Sequence, residues 1–194
     1  YILGDIMQYV HWKLTAKLDE LMIKQYDETA EERALVLCDY GFGAADQGSA
    51  MRQADAVIEA AISVVMSTAR AGISSLVDFG TLNGDYRSQI KDMSEFDRFY
   101  DMMSVIPSRL ETMEFRQLIA ENLRGCLASG GCSVVFLITG RLSEDIASAA
   151  EAAAESFRGT LVLADVDPGR DPALEAQMEE KKFVYLPLKK YRES

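Results

Sequence analysis

Short runs of consecutive apolar residues, separated by polar and glycine-containing stretches, recur along this chain. Residues 34–39, 133–139 and 160–164 are each apolar almost throughout. A strand that is covered on both faces has such a continuous apolar sequence. These three runs therefore predict buried strands at the centre of a sheet. Residues 21–26 instead alternate, which predicts a strand exposed on one side.

Between these runs, apolar residues recur mostly at the spacing of an α-helix. Within residues 49–71 apolar side chains recur every three or four positions, and Gly72 supplies a stop signal. A second helix is predicted to be capped by Ser94 and to reach residue 106. A third helix is predicted over 113–128, and a fourth, alanine-rich helix is predicted to start at Ser143 and end at residue 157.

Three further strands complete the pattern. One strand is predicted over residues 73–82, and a short returning strand is predicted over residues 86–91. Asn83-Gly84-Asp85 is the predicted turn between them. The last strand is predicted over 183–188, after a loop and an acidic stretch that together occupy 165–180. Strands that alternate with helices predict an α/β fold with a mostly parallel central sheet and helices on both faces.

Polar residues follow or end three of the predicted buried strands. Asp39, Thr139 and Asp165 stand at these positions. In an open α/β sheet, ligands bind beyond the carboxyl ends of the strands, where the strand order reverses. We therefore expect these three side chains to meet at one edge of the sheet, where the architecture places a site.

Composition narrows the class of protein. A chain of 194 residues that is 48% hydrophobic is long enough for one substantial core. The net charge of −11 argues against a nucleic-acid surface and against direct contact with an acidic membrane leaflet. Three cysteines do not form a disulfide framework, and a reducing, cytoplasmic setting fits them best. We expect Cys38 to be a buried apolar residue.

The N-terminal segment carries a motif. Twelve positions resemble the signature of uncharacterised bacterial proteins of the domain-of-unknown-function 58 (DUF58) family: Tyr1, Gly4, Asp5, Val10, His11, Trp12, Lys13, Ala16, Leu21, Ile23, Lys24 and Tyr26. Lys17 stands where the family usually has arginine, and Asp27-Glu28 where it usually has one acid.

The resemblance implies an architecture and a role. Residues 1–32 would form the family's N-terminal segment and pack on a domain of residues 33–194. That domain would have the three-layer α-β-α, Rossmann-like fold of von Willebrand factor A-like domains. The full-length protein would be anchored by membrane helices, and this part would be its cytoplasmic domain. A non-enzymatic adaptor that works with a MoxR-type AAA+ ATPase is the function that the resemblance implies.

The metal site of von Willebrand factor A domains is degenerate in this sequence. That site uses Asp-x-Ser-x-Ser after the first strand and a second Asp after a later one. Mg²⁺ needs such hard oxygen ligands in near-octahedral geometry. Here the matching segment is Asp39-Tyr40-Gly41-Phe42-Gly43, and Gly140 stands in place of the second Asp. We therefore expect Asp39 to be vestigial, Mg²⁺ to bind weakly or not at all, and no other cofactor to be required.

Other candidate chemistry is sparse. His11 is the one histidine, and we expect hydrogen bonds to hold it rather than catalysis to use it. Trp12, Lys13 and Lys17 form either an exposed recognition patch or a packed cap on the sheet. The loop of residues 41–46 lacks the third glycine of a dinucleotide-binding loop, because Asp46 stands there.

The loop after the first buried strand is the predicted partner surface. Aromatic residues in a glycine-rich loop are unusual in a solvated turn, and exposed aromatics often anchor protein interfaces. The candidates are Tyr40, Phe42, Gly43, Asp46 and Arg141. The alternative for the two aromatics is that they fold back into the core. The competing functions are a ligand- or metal-dependent enzyme that uses the same edge around Asp39, and a metal-dependent adhesion domain that faces the exterior.

Overall fold

A six-stranded sheet forms the centre of the part of the chain that the structure describes. The computed structural model describes residues 33–40, 47–107, 111–128 and 131–188. The strands are β1 (Arg33–Asp39), β2 (Ser74–Asp78), β3 (Arg87–Ile90), β4 (Val134–Thr139), β5 (Thr160–Asp165) and β6 (Val184–Pro187). The helices are α1 (Gln47–Arg70), α2 (Met93–Met103), α3 (Phe115–Ala128), α4 (Glu144–Ser156) and α5 (Pro172–Glu179).

The strand order is β3-β2-β1-β4-β5-β6, and every neighbouring pair is parallel except β2 with β3. The α/β fold class with a mostly parallel sheet is therefore confirmed. The three continuous apolar runs correspond to strands β1, β4 and β5, and each of these has a neighbouring strand on both sides. The strand order reverses between β1 and β4, which makes their carboxyl ends the switch point of the sheet.

Helices cover both faces and give three layers. Val36 and Cys38 of β1 lie in one apolar cluster with α1 and α2. Leu35 and Leu37 of the same strand lie in a second cluster with α3, α4 and α5. Right-handed crossovers explain this division, because the chain moves from β1 to β2 in one direction and from β4 to β6 in the other.

The start of α2 corrects one sequence prediction. Ser94 was the predicted cap, but Asp92 is the N-cap residue and accepts a hydrogen bond from the backbone N–H of Glu95 at 3.0 Å. Glu95 in turn accepts one from the backbone N–H of Lys91 at 2.8 Å. This reciprocal arrangement fixes the first turn, so Ser94 lies inside the helix. The helix also ends at Met103 rather than at residue 106.

Helix α5 lies in the acidic stretch that follows the predicted loop, where the sequence analysis predicted no helix. Its N-cap residue Asp171 accepts a hydrogen bond from the backbone N–H of Leu174 at 3.1 Å, and Pro172 occupies the first turn. Leu174 and Met178 are buried at a spacing of four residues. An aspartate followed by proline is a helix-start signal, and the acidic exposed face obscured it.

The described elements belong to the compact unit Glu32–Ser194. The predictions for the strand over 21–26, for His11 and Trp12, and for a boundary at residue 32 fall on residues outside the described ranges and stay predictions. No helix in the described part of the chain combines the length and the apolar character that a membrane span requires.

Candidate functional site

Four neighbouring parallel strands end in polar residues at one edge of the sheet. Leu37 pairs with Asp78 of β2, Asp39 with Thr139 of β4, and Thr139 with Asp165 of β5. The expected meeting of Asp39, Thr139 and Asp165 is therefore found. Asp78, which was not singled out from the sequence, extends the row to β2.

Asp39 and Thr139 are joined at the switch point. Thr139 is fully buried, and its Oγ1 donates a hydrogen bond to Asp39 Oδ2 at 2.9 Å. The same hydroxyl oxygen accepts a hydrogen bond from the backbone N–H of Arg141 at 3.1 Å. Asp39 itself is partly exposed. The Thr139 hydroxyl thus links β1 to β4 and to the turn after β4.

Asp165 is the most deeply buried carboxylate of the row, at 1% exposure. Its Oδ1 accepts a hydrogen bond from the backbone N–H of Asp167 at 3.0 Å, and its Oδ2 accepts one from the hydroxyl of Tyr185 at 3.2 Å. Burial raises the pKa of Asp165 above its ordinary value, and these two hydrogen bonds offset only part of the rise. Burial and the negative charge of Asp165 raise the pKa of Tyr185 as well.

Asp78 serves a structural network. Its Oδ1 accepts a hydrogen bond from the backbone N–H of Gly80 at 2.8 Å, and its Oδ2 accepts one from Asn122 Nδ2 at 3.2 Å. Arg87 Nε lies 3.7 Å from Asp78 Oδ2, and Arg87 Nη2 donates to Asn122 Oδ1 at 3.3 Å. The network joins β2, β3 and α3, which are distant in sequence, so no local pattern could reveal it.

Cys38 lies directly beneath this edge and is buried at 1% exposure. Desolvation raises the pKa of its thiol well above the ordinary value, and the negative charges of Asp78 and Asp39 raise the pKa further. The nucleophilic thiolate is therefore suppressed. Cys38 is the buried apolar residue that the sequence predicted.

Of the two alternatives for Tyr40, the structure shows the core, because its side chain is buried at 3% exposure. Tyr40 is therefore not an exposed anchor of a partner surface. Its hydroxyl donates a hydrogen bond to the backbone carbonyl of Pro107 at 3.1 Å, and its ring meets Phe79 edge to face at 5.7 Å between centroids. Burial raises its pKa to about 12. Tyr40 continues the alternation of Val36 and Cys38 toward α1 and α2, so the period of β1 carries it into the core.

The other partner-surface candidates have different outcomes. Arg141 is exposed at the carboxyl edge, beside Thr139. Phe42, Gly43 and Asp46 lie outside the described ranges. Within those ranges, no group of three or more His, Cys, Asp or Glu side chains is arranged to hold a metal ion.

A groove of about 500 Å³ lies on the other side of α1 from α2, over β4, β5 and β6. Its walls and floor are mostly apolar and include Ala60, Ser63, Phe136, Ile138, Ala164 and Leu186. Val184 and Leu186 on this face of β6 are 51% and 43% exposed. The two described helices of this layer pack on β1, β2, β3 and β4, and they leave the groove-facing side of β6 uncovered.

The sequence did not single out the groove. Val184 and Leu186 alternate with Tyr185, which is the pattern of a strand with one buried face. Whether a helix covers that face depends on the arrangement of the whole layer. Periodicity along β6 cannot show it.

The fold and its polar edge define a three-layer, Rossmann-like α/β domain. A family model described as "Protein of unknown function DUF58" matches residues 1–80, which extend from the N-terminal segment through β1, α1 and β2. The match confirms the DUF58 resemblance carried by the N-terminal motif. No curated protein matches the chain.

Proposed function

We propose that this chain is a non-enzymatic protein-interaction domain that acts as an adaptor, and that the groove beside α1 is its partner surface. The observation that carries the proposal is the exposed apolar face of β6, with Leu186 43% exposed, continuous with Phe136 and Ala164 on the groove floor. Parallel sheets are normally covered on both faces. No described helix covers this face at β6, so a protein that binds there would bury apolar surface.

The family resemblance supplies the candidate partner, a MoxR-type AAA+ ATPase. It also supplies the setting, a cytoplasmic domain of a membrane-anchored protein that contacts no lipid itself. The net charge of −11 supports a protein partner over nucleic acid. Strand order and the antiparallel edge strand β3 support a von Willebrand factor A-like domain.

The test is affinity capture from a native lysate with the wild-type chain and two variants. Leu186→Glu places a charge in the groove, and Val105→Glu places the same charge at a residue 74% exposed near the end of α2. We expect wild type and Val105→Glu to capture the ATPase and Leu186→Glu to lose it. Equal capture by both variants would place the interface elsewhere.

A ligand- or metal-dependent enzyme at the carboxyl edge is the second candidate. The observation that favours it is a partly exposed Asp39 on the same edge as the buried Asp165, whose pKa is raised. Buried carboxylates with shifted pKa values are frequent in active sites. Calorimetric titration with Mg²⁺ tests the metal-dependent form of this enzyme: we expect no saturable heat. Micromolar binding that Asp39→Ala abolishes would favour a metal-dependent function at this edge, and turnover of a small molecule would then identify an enzyme.

A further inference from the structure

The groove has the shape and chemistry to receive one amphipathic α-helix. We propose that it binds a partner helix with an apolar stripe and with Lys or Arg at the edge of that stripe. This inference rests on the proposed function, because it names the chemistry of the partner at the same surface.

The wall of the groove is suited to helix packing. Ala56, Ala60 and Ser63 follow each other on α1 at spacings of four and three residues, so they form one ridge of small side chains. Small residues allow two helix axes to approach to about 8–10 Å. A bulky wall would hold a second helix away from the sheet.

The floor of the groove has the matching width. Phe136, Ala164 and Leu186 come from three successive strands. Two strand spacings of about 4.8 Å give a floor of about 10 Å, which is the diameter of a helix with its side chains.

Backbone hydrogen bonding favours a helix over an extended peptide. The backbone groups of β4 and β5 pair with neighbours on both sides and offer nothing to a segment that lies on the face of the sheet. An extended peptide there would leave its own N–H and C=O groups unpaired against an apolar floor. A helix satisfies these groups internally.

The charge at the rim of the groove favours a basic residue beside the apolar stripe of the partner helix. Glu59 lines the groove from the exposed side of α1, and within the described residues its carboxylate forms no ion pair. The remaining lining residues are apolar or neutral. A Lys or Arg beside the apolar stripe would complement Glu59, and the chain's net charge of −11 would speed the approach of a basic segment.

The experiment uses two labelled synthetic peptides of about 18 residues, or five helical turns. Both carry Leu at helical spacing; one has Lys and the other Glu beside the Leu stripe. Binding is measured by fluorescence anisotropy. We expect the Lys peptide to bind wild type and Val105→Glu with equal affinity and not to bind Leu186→Glu. Glu59→Lys should weaken the Lys peptide about tenfold and strengthen the Glu peptide, because rim charges select partners.

Several results would overturn the proposal. They are equal binding of both peptides, binding that Leu186→Glu leaves intact, no binding of either peptide to wild type, or a dimer in solution that Leu186→Glu dissociates. Suppose that Leu186→Glu loses capture of the ATPase and that any of the first three peptide results is also found. The proposal of a basic partner helix would then be contradicted, whereas the adaptor function would still be supported. Capture unaffected by Leu186→Glu would contradict the proposed partner surface itself.

Discussion

Single residues at the carboxyl edge are held by hydrogen bonds within the domain. Asp39 is bonded to Thr139, Asp165 to Tyr185, and Asp78 to Asn122. Removing one partner of a buried hydrogen bond leaves the other unsatisfied, which costs more than the bond itself contributes. Substitution of these residues is therefore expected to lower the stability of the domain.

Tyr40 is predicted to stabilise the core. Tyr40→Ala should lower the free energy of unfolding by roughly 3–5 kcal/mol, the scale for emptying a buried aromatic site. Tyr40→Phe should cost about 1 kcal/mol through the lost hydrogen bond to Pro107. Tyr100→Ala, at a tyrosine 53% exposed, is the matched control and should stay within about 0.5 kcal/mol. Urea unfolding measures all three; a Tyr40→Ala value equal to the control would mean that Tyr40 is not in the core.

Asp165 should give the stability a recognisable pH dependence. Its pKa is raised in the folded state, so the native protein binds this proton more tightly than the unfolded chain. Wild-type stability relative to Asp165→Asn should be greatest below about pH 3.9, the ordinary aspartate pKa, and should fall as pH rises through the raised native pKa. Urea unfolding of both proteins across this window measures the difference. A difference that instead grew with pH would mean that hydrogen bonding outweighs desolvation.

At the scale of elements, the hydrophobic pattern predicted most of the described strands and helices. Strands β1, β4 and β5 were recognised because a strand buried on both faces must be apolar throughout. Helix ends were less predictable, as α2 shows. Ser94 and Asp92 are both acceptable caps by residue type, and the choice depends on which side chain faces the first backbone N–H groups. Helix α5 was missed because few of its residues are buried.

The start of α2 offers a direct comparison of the two candidate caps. Asp92→Ala should lower the free energy of unfolding by about 1 kcal/mol, because it removes the acceptor for the Glu95 N–H. Ser94→Ala should change it by less than about 0.5 kcal/mol. Thermal or urea unfolding of the two variants decides between the caps; the reverse order of effects would restore Ser94 as the cap.

At the scale of the whole molecule, the site could be predicted only in part. The parallel class places strand ends at one edge, so the meeting of Asp39, Thr139 and Asp165 followed from the sequence. The burial of Tyr40 depends on Phe79 and Pro107, which come from later in the chain. The groove depends on which strands α1 and α2 cover, and that is a property of the assembled layer.

The central claim is that a protein partner occupies the groove beside α1. The most direct measurement is the rate at which maleimide labels Leu186→Cys, in the isolated chain and in the captured complex. Val105→Cys serves as the control, and the unsubstituted chain provides the background from natural cysteines. We predict that maleimide labels the cysteine at position 186 rapidly in the isolated chain and slowly in the complex. The cysteine at position 105 should be labelled rapidly in both. Slow labelling at 186 in the isolated monomer, or unchanged labelling in the complex, would contradict the claim.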